Sequence, residues 1–139
     1  MARSIFVDTS GWYALIDRRD ASHDATRKTV ERLIRDGTRL VSTDYVIDES
    51  CTLAKVRAGP EAAFRLLDLL NGTVALDIEW IGAERFDRAE AVFRKYRDQA
   101  FSFTDCTSFT VMRELRIREA ITRDSHFRMM GFQLLPSAG

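Results

Sequence analysis

Ser4-Ile5-Phe6-Val7-Asp8-Thr9-Ser10 decides how the chain folds. Its three consecutive apolar residues read as a short strand buried on both faces. Asp8 closes that strand, and the hydroxyls of Thr9 and Ser10 can cap a helix over Gly11–Asp17. Working outward, the same alternation of strand and helix continues. Residues 22–36 read as a helix with Ala25, Val30, Leu33 and Ile34 on its apolar side and a stop at Asp36-Gly37. Arg39–Ser42 reads as a second strand. A helix from Asp44 to Ala58 ends at Gly59-Pro60. Glu61–Leu70 is a further helix, apolar on several sides through Phe64, Leu66, Leu67, Leu69 and Leu70. Asn71-Gly72 turns the chain into a strand at Val74–Ile78. Residues 83–98 carry Phe86, Ala89, Phe93 and Tyr96 at helical spacing. Ser102 opens a helix to Leu115, and Glu119–Thr122 and Phe132–Leu135 complete five strands. This order predicts an α/β fold with a mostly parallel sheet covered on both faces. Ligands of such sheets bind outside the carboxyl ends of the strands.

The 139 residues suit one domain with a real core, and no repeat, linker or low-complexity segment divides residues 1–139. Twenty-one basic residues against 21 acidic ones leave no net charge, so bulk charge does not announce a nucleic-acid binder. A local patch could still meet phosphates. Cys51 and Cys106 lack metal-ligand spacing, and with only His23 and His126 beside them a zinc site is not expected. Both cysteines read as reduced thiols. The N-terminus lacks the apolar content of a signal peptide and no segment approaches a membrane span, so the cytoplasm is the expected location.

Four acids stand where acids are normally excluded, because an unpaired buried carboxylate is costly. Asp8 and Asp124 each close a strand, and so fall at the carboxyl edge of the sheet. Glu49 lies one turn into a helix with Tyr45, Leu53 and Val56 as its neighbours, while Asp48 belongs to the polar side. Asp105 has Ser108, Phe109 and Met112 on its side of the helix. Each has an ordinary explanation: Asp8 as a cap, Glu49 at a favourable helix terminus, Asp105 in the capping box Ser102-x-x-Asp105, Asp124 in a turn. Independent capping residues need not converge on one edge of one sheet, and together the four repel one another unless a cation lies between them. Oxygen-only ligation suits Mg²⁺ or Mn²⁺, ions that polarise a phosphoryl oxygen and activate water. The expected chemistry is metal-dependent cleavage of phosphodiesters.

Four segments carry a family resemblance: Phe6-Val7-Asp8-Thr9-Ser10 with Trp12-Tyr13-Ala14-Leu15; Ser42-Thr43-Asp44-Tyr45-Val46-Ile47-Asp48-Glu49; Phe101-Ser102-Phe103-Thr104-Asp105-Cys106-Thr107-Ser108-Phe109; and Ile121-Thr122-Arg123-Asp124-Ser125-His126-Phe127. In content and order they resemble the PIN-domain ribonucleases, most closely the VapC-like toxins of bacterial toxin–antitoxin pairs. The resemblance implies a three-layer α/β/α sandwich. It implies that Asp8, Glu49, Asp105 and Asp124 bind Mg²⁺ or Mn²⁺ for endonucleolytic cleavage of RNA, with Ser10 and Thr104 assisting through hydroxyls. It also implies a small antitoxin partner whose tail occupies the active-site groove, and a homodimer. Many relatives carry a further acid two residues after the fourth, where this chain has His126.

RNA needs cationic contacts, for which Arg18, Arg19, Arg123 and Arg128 are candidates, and aromatic stacking, for which Trp12 stays open. Tyr13 reads as core. Two other functions fit the scaffold: a catalytically silent RNA- or protein-binding module, and a Mg²⁺-dependent phosphatase-like domain. The second lacks the Asp expected two residues after Asp8, where Ser10 stands, and has no Lys at a predicted strand end.

Overall fold

The computed structural model describes residues 3–137; residues 1, 2, 138 and 139 of the expected 1–139 unit lie outside the described residues. Strands β1 (Ser4–Val7), β2 (Arg39–Thr43), β3 (Leu76–Glu79), β4 (Glu119–Ile121) and β5 (Gln133–Leu135) form one sheet in the order β3-β2-β1-β4-β5. Every pairing is parallel, so the sheet expected to be mostly parallel is wholly so. Helices α1 (Thr9–Ile16), α2 (His23–Arg35), α3 (Asp44–Ala58), α4 (Pro60–Gly72), α5 (Gly82–Lys95), α6 (Phe103–Glu114) and α7 (Ser125–Met129) connect them.

Both faces of the sheet are covered. Ile5, Phe6 and Val7 are all fully buried. Phe6 packs on Phe127 of α7, which stacks edge-on against Phe109 of α6. Val7 pairs in register with Ile121, whose side chain lies against Gly11 of α1. Successive strand residues point to opposite faces, so α1 covers one side and α6 with α7 the other. Helices therefore lie on both sides of the sheet, as a three-layer α/β/α sandwich requires.

The third strand begins at Leu76 rather than Val74, which is 90% exposed. The α4 helix, apolar on several sides, divides its residues: Leu66 is buried while Phe64 and Leu67 face solvent. Gly59 has φ +92°, the left-handed conformation that ends α3 and lets Pro60 start α4 at once. Helix α7 was not expected. Its five residues bury only Phe127, too little for a periodic signal.

The chain runs outward from β1 through β2 to β3, then returns to lay β4 and β5 on β1's other side. The connections thus diverge at β1 and β4, the switch point where a crevice opens at the carboxyl ends.

Candidate metal-binding active site

All four predicted acids line one hollow of about 410 Å³ at that switch point, although they come from the β1–α1 junction, α3, α6 and the β4–α7 junction. Thr9, Ser10, Tyr13, Asp20, Leu53, Arg57 and Arg123 complete its lining. Burial divides the set. Asp8 and Asp105 are buried, Asp124 is half-buried, and Glu49 is exposed at the rim.

Asp8 is the N-terminal boundary of α1 but its side chain does not cap the helix. Its Oδ2 accepts instead from the Thr122 hydroxyl at 3.0 Å. That bond fixes the polarity of a hydroxyl relay. Having given its proton to Asp8, Thr122 Oγ1 accepts from the Asp124 amide at 3.0 Å, so Ser10, 3.2 Å away, must donate to it. The Ser10 hydroxyl in turn accepts from the Arg123 amide at 2.9 Å. Arg123 N–H, Ser10, Thr122 and Asp8 thus form one directed chain that orients the carboxylate. A methyl at Gly11 would lie 2.5 Å from the Ile121 carbonyl oxygen, so only glycine lets α1 sit close enough to β4 for this chain to form.

Asp105 behaves as its spacing predicts. The Ser102 hydroxyl accepts from the Asp105 amide at 2.9 Å, and Asp105 Oδ2 accepts from the Ser102 amide at 3.1 Å, a complete capping box. Capping and site-building coexist, since the box leaves Oδ1 without a side-chain partner among the described residues. Asp124 caps α7 by accepting from the His126 amide through Oδ1 at 2.9 Å. His126 Nδ1 lies 3.3 Å from both Asp105 Oδ2 and Asp124 Oδ1. The ring nitrogen is within hydrogen-bonding reach of Asp105 and equally close to Asp124, so the imidazole lies between the two acids. The ligand-capable atoms of Asp105, Asp124 and His126 lie within 4.8 Å of one another, a spacing that could hold a metal ion.

Burial is the largest influence on Asp8 and pushes its carboxyl up to about 7; the Thr9 amide and Thr122 hydroxyl pull the other way, and the charges of Asp105 and Asp124 raise it further. Asp105 is raised as well, chiefly by burial and then by Asp124, against the Ser102 amide and His126. Among the described residues no Lys or Arg nitrogen pairs with any of the four acids; Arg123 is engaged by Asp20 at 3.2 Å. Carboxylates desolvated together, without a basic side chain to neutralise them, fit a hard divalent cation.

Four expectations are changed by the structure. Trp12 cannot stack on RNA: it is 1% exposed, and its indole N–H donates to Ser42 Oγ at 3.2 Å. On a helix, Gly11 and Tyr13 flank it in sequence but turn it about 100° from the site. Arg128 is exposed on α7 but does not line the hollow. Val56 was placed on the inner side of α3 with Glu49, yet it is 79% exposed. The side of α3 that lines the hollow is Glu49, Leu53 and Arg57, an i, i+4, i+8 series that would have revealed Arg57. Thr104 is half-buried, and its carbonyl, not its hydroxyl, makes the observed bond, accepting from Thr107 at 2.6 Å. Thr122 also escaped notice, because a threonine in a strand reads as a β-branched strand former.

A parallel α/β sheet with an acid-lined hollow at its switch point defines a class, and the PIN-domain family model matches residues 5–133. The chain belongs to the PIN-domain family. Within it, the 23S rRNA-specific endonuclease VapC20 of Mycobacterium tuberculosis is 35% identical over 129 residues, covering 92% of this chain and 95% of that protein. A VapC ribonuclease of Archaeoglobus fulgidus is 28% identical over 125 residues, covering 88% and 78%. Among solved structures, Mycobacterium tuberculosis VapC20, described as a sarcin–ricin loop cleaving toxin, superposes with a TM-score of 0.81 at 30% identity, covering 92% of this chain and 95% of that one. VapBC2 of Rickettsia felis, bound to a promoter DNA fragment, shares the fold with a TM-score of 0.70 at 12% identity, covering 94% and 96%.

Proposed function

We propose that residues 1–139 act as one endoribonuclease unit that hydrolyses RNA with Mg²⁺ or Mn²⁺, and that it is the toxin of a toxin–antitoxin pair. The observation that carries this reading is the set of four carboxylates from four separate segments facing one hollow, with no Lys or Arg paired to them among the described residues. Asp8, Glu49, Asp105 and Asp124 would hold the ion, and the VapC20 and VapC relatives support RNA as the polymer cut. The ion, when bound, supplies Lewis-acid polarisation of the phosphoryl oxygen and activation of water.

The chain's own residues prepare the rest. Ser10 and Thr122 orient Asp8 through its Oδ2. The Ser102 amide and His126 engage Oδ2 of Asp105, and the His126 amide engages Oδ1 of Asp124. One oxygen of each acid is thereby fixed, and the other receives no side-chain hydrogen bond among the described residues. His126 holds Asp105 and Asp124 together against their mutual repulsion. Arg123 at the rim is a phosphate contact; Arg128 reaches RNA only beyond the hollow, and Thr104 supports Asp105 from the adjacent turn.

Ribosomal RNA is the first substrate to test, since it is what the VapC20 relative cleaves. A small antitoxin is the expected protein partner, and the exposed Phe64 and Leu67 of α4 support a second copy of the chain as another. Brief expression of wild type and Asp8→Asn, followed by mapping of new RNA ends, tests the reading. We expect a small set of ends from wild type that vanish with Asp8→Asn, and purified protein that stops cleaving in excess EDTA. Undiminished cleavage in either condition would overturn the proposal.

A further inference from the structure

We propose that the RNA strand flanking the cut leaves the acidic hollow past Arg57 and lies along a trough edged by Arg18 and Arg65; this path rests on the ribonuclease reading above. Arg57 lines the hollow and its guanidinium sits 5.5 Å from the centre of the Tyr13 ring. Tyr13 is itself locked, its hydroxyl donating to Asp17 Oδ2 at 2.6 Å. Arg57 is thus held by an aromatic face rather than by a carboxylate, which leaves its N–H groups free for phosphate.

A second hollow of about 540 Å³ is lined by Asp17, Arg18, Ala58 and Arg65 among others. Two of its lining residues connect it to the acidic hollow: Asp17 is hydrogen-bonded to Tyr13, and Ala58 follows Arg57 in α3. A third hollow, of about 610 Å³, continues from the second and shares Ile16, Arg18 and Arg65 with it. Leu15, Ile16 and Leu69 give the third hollow an apolar floor.

The charges along this route are unevenly spent. Arg19 is engaged by Asp17 at 3.2 Å, and Arg27 by Glu31 at 3.2 Å. Arg18, Arg57 and Arg65 are exposed and pair with no carboxylate among the described residues. In a chain whose net charge is zero, three unspent arginines succeeding one another from the catalytic hollow outward fit a ligand with repeated negative charge. The apolar floor suits bases or ribose edges. An acidic protein segment fits less well, because the near end of the route opens on four carboxylates that would repel it.

The test measures binding of fluorescein-labelled single-stranded RNAs of about 4 and about 16 nucleotides, spanning the site sizes typical of single-strand grooves. The proteins are wild type, Arg18→Gln/Arg65→Gln, Arg57→Gln, and Arg35→Gln/Arg118→Gln as a charge-matched control remote from the route. The Arg18/Arg65 pair should weaken the long RNA about tenfold or more and flatten its log–log salt dependence by about 1 or more, with the short RNA affected far less. Arg57→Gln should weaken both. The control should match wild type. Circular dichroism verifies folding, and Arg18→Lys/Arg65→Lys should recover most of the salt slope if charge is what matters. Wild-type affinity and salt slope for the long RNA in the Arg18/Arg65 variant would overturn the path, as would equal losses on both probes. So would an effect seen only on binding of a poly-glutamate peptide. A wild-type protein that cleaves no RNA would instead overturn the ribonuclease reading itself.

Discussion

Asp8 and Glu49 face the same hollow from walls of opposite character. The wall at β1 and β4 is buried and braced. Asp8 is tied to Thr122, Thr122 to Ser10 and to the Asp124 amide, and Ser10 to the Arg123 amide. The wall on α3 is open: Glu49 is exposed, with no side-chain hydrogen bond among the described residues, and Arg57 rests only on an aromatic ring. The first wall fixes donor oxygens before anything binds, and desolvation makes it costly to the folded chain. The second can move to meet an ion and a strand of varying shape. Precision in this site is therefore built where backbone strands meet, and adaptability is left to a helix surface.

Breaking the braced wall at its acid should give the largest effect. Asp8→Asn should lower metal-dependent RNA cleavage by about 10³-fold, since a preorganised charge is lost from a buried site. The same change should raise the melting temperature in metal-free buffer at pH 8, because a carboxylate ionised against desolvation is removed. A fall in melting temperature would contradict the claim that this wall is costly.

Removing the brace while keeping the acid should cost less. Thr122→Val should weaken Mg²⁺ binding by about 10–100-fold, read by calorimetry, and Thr122→Ser should restore most of it. Glu49→Gln, on the open wall, should reduce metal affinity but leave metal-free stability unchanged within about 0.5 kcal/mol. A rise in metal-free melting temperature for Glu49→Gln as large as that for Asp8→Asn would erase the distinction between the walls.

The braced wall should also show itself through pH. The Asp8 carboxyl goes from its ordinary 3.8 in the unfolded chain to about 7 in the folded one. The folded state then holds more protons across that interval, so metal-free stability should be greatest below pH 4 with respect to this group and decline as pH rises toward 7. Melting curves in EDTA should show the decline, and Asp8→Asn should flatten it. Saturating Mg²⁺ should counter it by binding the folded state.

Much of this arrangement was legible in the residue order. Ile5-Phe6-Val7 announced a doubly buried strand, Gly59-Pro60 a helix boundary, and Ser102 with Asp105 a cap, because each acts through local chemistry. What stayed hidden depends on neighbours far along the chain. Thr122 matters through a residue 114 positions away, and nothing in Ala120-Ile121-Thr122 distinguishes that hydroxyl from a strand former. Trp12 was misjudged because adjacency in sequence is not adjacency on a helix. Arg57 was within reach, two turns after Glu49, but the α3 face was drawn through Val56. Helix α7 is shorter than the window in which periodicity can be recognised.

Gly11 carries no charge and touches no ligand, yet the machinery leans on it. A methyl there would push against the Ile121 carbonyl oxygen, part of the strand backbone and unable to swing aside. The displacement would pry the first helix off the fourth strand, and the oxygens of Asp8 and Asp124 would drift apart. Gly11→Ala should thus cost about 1–3 kcal/mol by chemical denaturation and silence the enzyme with every acid still present. Any screen for inactive variants that inspects only ionisable side chains would overlook this hinge-pin of the assembly.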